Sequence, residues 1–318
     1  MLGIDVGADL LRSWASWLAP EVQPFFVESL SQWPAGVDGP SVLSAEQRDT
    51  YEVWNLDRTL KVLWLDKSTF AAMPRADRAA LVRLQARSHR GAVPTVRRWS
   101  DLFDAAALRS QADGHRFVWW PSHLDSWAAE VLRRRVSAES LASRHEEVSE
   151  RTWEASAAVL PCARALAGSF APRSGANCFG TVMAAAGVAG AAEEWMLQKP
   201  FSDWLETTCR GGGHDDEPGT VLIWRDHAGQ PVHAAVTIGG GWALEKPSQT
   251  WSTPRAILRV SDVIRTTRSP GKRLGRRHLL RSHVVGQAPM ARPTGVEHCG
   301  FASARSGASA SSLKRPGR

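Results

Sequence analysis

Disulfides, membrane spans and tyrosine are what this 318-residue chain has least of. Four cysteines are too few for a disulfide scaffold at this length, which points to a reducing, cytoplasmic setting. The first eleven residues carry Asp5 and Asp9 and no basic residue, so the basic-then-apolar order of a cleaved leader is not seen, although an unconventional export route stays open. No stretch approaches the roughly 18–20 uninterrupted apolar residues of a transmembrane helix. Lysine and tyrosine are both scarce, with six Lys against 33 Arg and one Tyr against 15 Trp. This skew reads first as GC-rich codon usage, and it names no function.

What is present is a globular composition, 43% hydrophobic and 22% charged, with length for one large domain or two ordinary ones. The net charge of +7 is unevenly placed. Residues 251–318 hold 14 bases and two acids, Asp262 and Glu297, while residues 1–250 hold 25 bases and 30 acids. The body is mildly acidic, so overall charge does not argue for a nucleic-acid-binding domain.

Residues 1–125 read as a mixed α/β region of unknown role. Lys61–Leu65 and Phe117–Trp120 have strand length and composition. Pro74 opens a helix expected over 75–90, with Gly91 at its C′ position. Trp119 and Trp120 read as packing residues rather than a base-stacking platform. A helical connector is expected over 126–155, a second domain over 156–281, and a basic, disordered tail over 282–318.

The chemistry concentrates in the second domain. In Ser174-Gly175-Ala176-Asn177-Cys178-Phe179-Gly180 a polar loop gives way to an Ala-rich run ending at Gly187. This predicts a short helix with Cys178 in its first turn, where unpaired N–H groups and the helix dipole favour the thiolate. Further on, Pro218-Gly219 predicts a turn and Thr220–Trp224 a strand. Val232–Ile238 and Trp242–Pro247 flank Gly239-Gly240-Gly241 and predict a hairpin. A three-residue loop pairs Ile238 with Trp242, Thr237 with Ala243, Ala235 with Glu245 and His233 with Pro247. His233 and Glu245 then share a face as diagonal neighbours. Small Ala235 and Ala243 between them leave room for the Cys178 helix to approach. Cys178 thus reads as nucleophile, His233 as general base and acid, and Glu245 as the group orienting the imidazole.

The order Asn177-Cys178-Phe179-Gly180, Pro218-Gly219-Thr220-Val221, His233-Ala234-Ala235-Val236 and Glu245 resembles the NlpC/P60 cysteine peptidases and amidases, over about residues 174–281. The resemblance implies an α+β fold with a papain-like core, a Cys-bearing helix packed on a small antiparallel sheet. It also implies thiol-dependent cleavage of an amide bond, in a peptidoglycan-type peptide or another amide. Asn177 and Phe179 would lie near the substrate and oxyanion. Three positions depart from the family pattern. The residue before the nucleophile is often Asp and helps bind a free amine, and Asn177 lacks that charge. The residue after it is often Ser, and here it is Phe179. The third member is commonly His, and here it is Glu245.

No cofactor or metal site is expected. His214-Asp215-Asp216-Glu217 on a glycine loop lacks distant partners, and Cys162, Cys209 and Cys299 form no Cys-x-x-Cys pair. The bases Arg265, Arg268, Lys272, Arg273, Arg276, Arg277 and Arg281 could contact phosphates, but without interleaved aromatics they read as solvated surface. Two alternatives to hydrolysis remain. One is a catalytically idle binding module whose Arg-rich tail meets nucleic acid or an acidic partner. The other is acyl or amide transfer through the same three residues.

Overall fold

Alternating apolar runs pair into two antiparallel sheets in the computed structural model, which describes residues 1–280 except 54, 55, 58, 89 and 92. The smaller sheet pairs β1 (Val22–Val27) with β2 (Lys61–Asp66). The larger sheet has β3 (Cys209–Gly211), β4 (Pro218–Arg225), β5 (Pro231–Gly239), β6 (Trp242–Glu245), β7 (Ala256–Arg259) and β8 (Arg273–Leu279), in the order β3-β8-β4-β5-β6-β7. Twelve α-helices accompany them among the described residues, and the fold is α+β. No helix among the described residues is long and apolar enough to cross a membrane. The predicted tail, 282–318, lies outside the described residues.

Across β4 to β7 both faces of the larger sheet are buried. Even-numbered positions of β5, Ala234, Val236 and Ile238, join Val221, Ile223 and Leu244 in a core shared with Phe179, Val182 and Met183 of the Cys178–Ala185 helix. The opposite positions, Leu222, Trp224, Ala235 and Ala243, pack with Leu258, Val260 and Val263. This corrects one expectation. Ala235 and Ala243 are covered by the start of the Val260–Thr267 helix, not by the Cys178 helix, because strand alternation sends that helix to the other face.

Residues Met1–Arg281 make one compact unit. The N-terminal helix, Ala8–Leu18, sets Trp14 edge-on to Phe170 with ring centres 4.8 Å apart, and Trp14 and Phe170 share a core with Trp251. The N-terminal region thus packs beneath the segment that leads to Cys178.

Three local expectations change. Phe117–Trp120 is buried but forms no strand. Its backbone is satisfied elsewhere: Gln23 Nε2 donates to the Trp119 carbonyl, and the Trp120 N–H donates to His123 Nδ1. The helix after Pro74 ends at Arg87, not Arg90. Arg90 is drawn into the core to reach Gln23 Oε1, and the Gly91 N–H donates to the Glu52 carbonyl, so Gly91 is no helix cap. Pro218-Gly219 lies inside β4 as an irregularity in the ladder between Pro218 and Val221, where Gly219 adopts φ +90°.

Candidate active site

Asn177 caps the helix Cys178–Ala185, its side-chain oxygen accepting the Gly180 N–H at 3.0 Å. Its amide nitrogen donates to the Met196 carbonyl at 2.8 Å, so both ends of the side chain are committed to backbone. Cys178 opens the helix and is half-buried. Gly180 allows the helix to lie close to another chain segment, because a Cβ there would run into the Ala191 carbonyl oxygen. Phe179 stacks on Phe201 with ring centres 4.3 Å apart. That contact answers why a bulky residue follows the cysteine: its ring is a core residue at 6% exposure.

The hairpin reaches the expected register by a different route. Gly239 pairs with Trp242 around a two-residue turn, Gly240-Gly241, and Ile238 is an extra residue before Thr237 pairs with Ala243. The turn alone would put His233 and Glu245 on opposite faces, and the extra residue restores parity. Gly239, Gly240 and Gly241 all take positive φ, +94°, +59° and +75°, so this sequence of glycines suits both turn and bulge. Ala235 pairs with Glu245 as expected, while β6 ends at Glu245 and no ladder pair joins His233 to Pro247.

His233 Nε2 and Glu245 Oε2 lie 3.2 Å apart, with Glu245 1% exposed and His233 8%. The ring also lies against Trp224, centre to centre 5.3 Å. A carboxylate on Nε2 places a proton there and leaves Nδ1 for the sulfur. Burial pushes the Cys178 thiol up, but the His233 charge, a hydrogen bond with its ring and the N–H groups of Ala234 and Phe179 outweigh it, and the thiol titrates below its ordinary range. Conversely, burial pushes His233 down, while Cys178 and then Glu245 raise it well above an ordinary imidazole. Cys209 is a useful contrast, since burial pushes that thiol up.

Cys178 and His233 line one cleft of about 940 Å³, together with Asn177, Phe179, Trp195, Gln198 and Lys246. Lys246 is 1% exposed and donates to the carbonyls of Ser248 and Thr250, each at 2.7 Å. Burial holds its ammonium down at about 7.

Reading the sequence missed the groups that hold the loop before Cys178. Asp49 Oδ2 accepts the Ser174 hydroxyl at 3.0 Å and the Gly175 N–H at 2.7 Å, 125 and 126 residues away in the chain. On the other side, Arg255 pairs through its backbone with Ser169, and the Gly168 N–H donates to the Arg255 carbonyl. The Ser44/Gln47 capping box that starts the Asp49 helix is visible in sequence; nothing local marks Asp49 itself.

The remaining candidates disperse. Asp215 is engaged by Arg276 at 2.7 and 2.9 Å, and among the described residues no three His, Cys, Asp or Glu side chains gather as metal ligands. Arg265 pairs with Asp262. Arg281 and Cys299 lie outside the described residues. In comparisons with known proteins, no family model, curated protein or solved structure matches this chain.

Proposed function

We propose that the chain is a cysteine-dependent amide hydrolase of NlpC/P60-like type on a papain-like core. The observation that carries this is the joining of Cys178, His233 and Glu245 in one place, with a thiol whose titration is lowered by the imidazole. The reactive form of the pair is thiolate and imidazolium, which the lowered thiol and the raised imidazole both favour. The Cys178 thiolate attacks the amide carbon, and the developing oxyanion meets N–H groups of the first turn of the helix. The His233 imidazolium gives its Nδ1 proton to the leaving amine, and the amine departs as a thioester forms on Cys178. Water then attacks the thioester as His233 takes its proton, releasing the acid and restoring the thiolate. Glu245 keeps the ring in one tautomer and stabilises its cation throughout. A second amine or alcohol in place of water would give transfer through the same thioester.

The test is alkylation by iodoacetamide at neutral pH, mapped to each cysteine by peptide mass spectrometry. Cys178 should outpace both Cys209 and a free thiol, and His233→Ala should remove that advantage. Equal Cys178 rates in the two proteins would sink the assignment.

A further inference from the structure

The wall of the cleft is one-signed. Its described lining includes Lys246 on the floor and Arg268 and Lys272 at residues 266–272 on one side, with no carboxylate among them. Arg268 ends the Val260–Thr267 helix and Lys272 precedes β8, and both side chains are exposed. Neither makes an ion pair among the described residues, whereas their neighbours Arg265 and Arg276 hold Asp262 and Asp215. These two cationic groups of the cleft lining are therefore not engaged by a carboxylate among the described residues. An ammonium-bearing substrate would find no carboxylate in this lining, and Asn177 is neutral with both polar ends bonded to backbone.

We propose that the cleft selects an amide whose flanking group is an anion, a carboxylate where the substrate is a peptide, with Arg268 and Lys272 as the residues that read it. This rests on the nucleophilic role of Cys178. Guanidinium offers a planar fork to a carboxylate and ammonium a point charge, so the pair suits an anion approaching from solvent. Their exposure makes them steering groups, whose effect is on capture and is screened by salt. Lys246 sits deeper, engaged by two carbonyls, and with its ammonium held down at about 7 it carries only part of a charge at neutral pH.

Charge-matched thiol probes test this on the intact protein. Rates of Cys178 modification by iodoacetate and by neutral iodoacetamide are compared with those of a neutral free thiol, N-acetylcysteinamide. At low salt the iodoacetate-to-iodoacetamide ratio at Cys178 should exceed the free-thiol ratio by about tenfold. It should fall toward that ratio in about 0.5 M salt and in the R268Q/K272Q double variant, with the iodoacetamide rate unchanged. Both substitutions are on the surface, and an unaltered iodoacetamide rate shows the site intact. A ratio that is raised but unchanged in the double variant assigns the attraction to the buried cations, His233 and Lys246, and overturns the proposal. A ratio equal to the free thiol's, with rapid iodoacetamide reaction, overturns it while leaving the nucleophile in place. If iodoacetamide reacts no faster than with the free thiol, the nucleophile falls and the anion selectivity falls with it.

Discussion

His233 and Glu245 stand on adjacent strands, twelve residues apart in sequence, with Nε2 and Oε2 3.2 Å from one another and both side chains withdrawn from solvent. Their relation to Cys178 fixes how the site should respond to pH. The thiol is lowered from 9.0 and the imidazole raised from 6.5, so the thiolate–imidazolium pair occupies the window between the two altered values. The rise in Cys178 alkylation should therefore be centred below pH 9.0, the reference thiol value. Turnover should fall on the alkaline side only where the imidazolium loses its proton, above the ordinary 6.5. In His233→Ala the burial that raises the thiol remains, as do the Ala234 and Phe179 N–H groups that lower it, but the cation is gone, so the rise moves to higher pH than in the parent protein. Glu245→Gln removes one of the groups raising His233, so the alkaline limb moves down, and turnover drops by about 10²-fold or more. A pH–rate profile that coincides in all three proteins would show that the three side chains do not act together.

The parity of the Gly239–Gly241 hairpin shows how much of this site was legible in sequence and by what margin. The shared face of Ala235 and Glu245 follows from counting, yet the count assumed a three-residue loop, and the structure reaches the same pairing through a two-residue turn plus one extra residue at Ile238. A strand ladder can absorb one residue without local warning. The short helix with Cys178 in its first turn was equally readable, because a polar loop giving way to an Ala-rich run is a pattern of chain neighbours. The sheet face chosen by that helix was not. Period-two alternation says which residues go together, but not which element covers them, and helix Val260–Thr267 took the face that Ala235 and Ala243 left open. Asp49 was invisible for a related reason: contacts made across 125 residues leave no spacing to recognise.

Asp49 is where the N-terminal region bears directly on the loop before Cys178. Its buried carboxylate takes the Ser174 hydroxyl and the Gly175 N–H, four and three residues before Cys178. Hydrogen bonds to a charged group are each worth about 1.5–3 kcal/mol, and an orphaned donor adds its own cost. Asp49→Ala should lower stability by about 3 kcal/mol in denaturant unfolding and slow Cys178 alkylation under folding conditions. Asp49→Asn keeps the shape and one acceptor oxygen, so its loss should be smaller in both readouts. A loss of stability with full Cys178 reactivity would make Asp49 a fold residue that does not position the loop.

Gly180 sets two effects of opposite sign against each other. In a helix interior Ala is favoured over Gly by about 1 kcal/mol, so helix propensity alone makes Gly180→Ala stabilising. The added Cβ, however, would run into the Ala191 carbonyl oxygen, with the Glu194 carbonyl oxygen 3.3 Å away. Both are backbone atoms and cannot turn aside as a side chain would, and overpacking of this kind costs about 1–3 kcal/mol. The clash should win, giving a net loss of stability. Relief by shifting the helix would also stretch the 3.0 Å bond from the Gly180 N–H to Asn177 Oδ1 and draw Cys178 away from His233. Gly180→Ala should thus lower the denaturation midpoint and the Cys178 alkylation rate together. A stabilised protein with an unchanged rate would mean that the backbone at Ala191 does not approach the helix this closely.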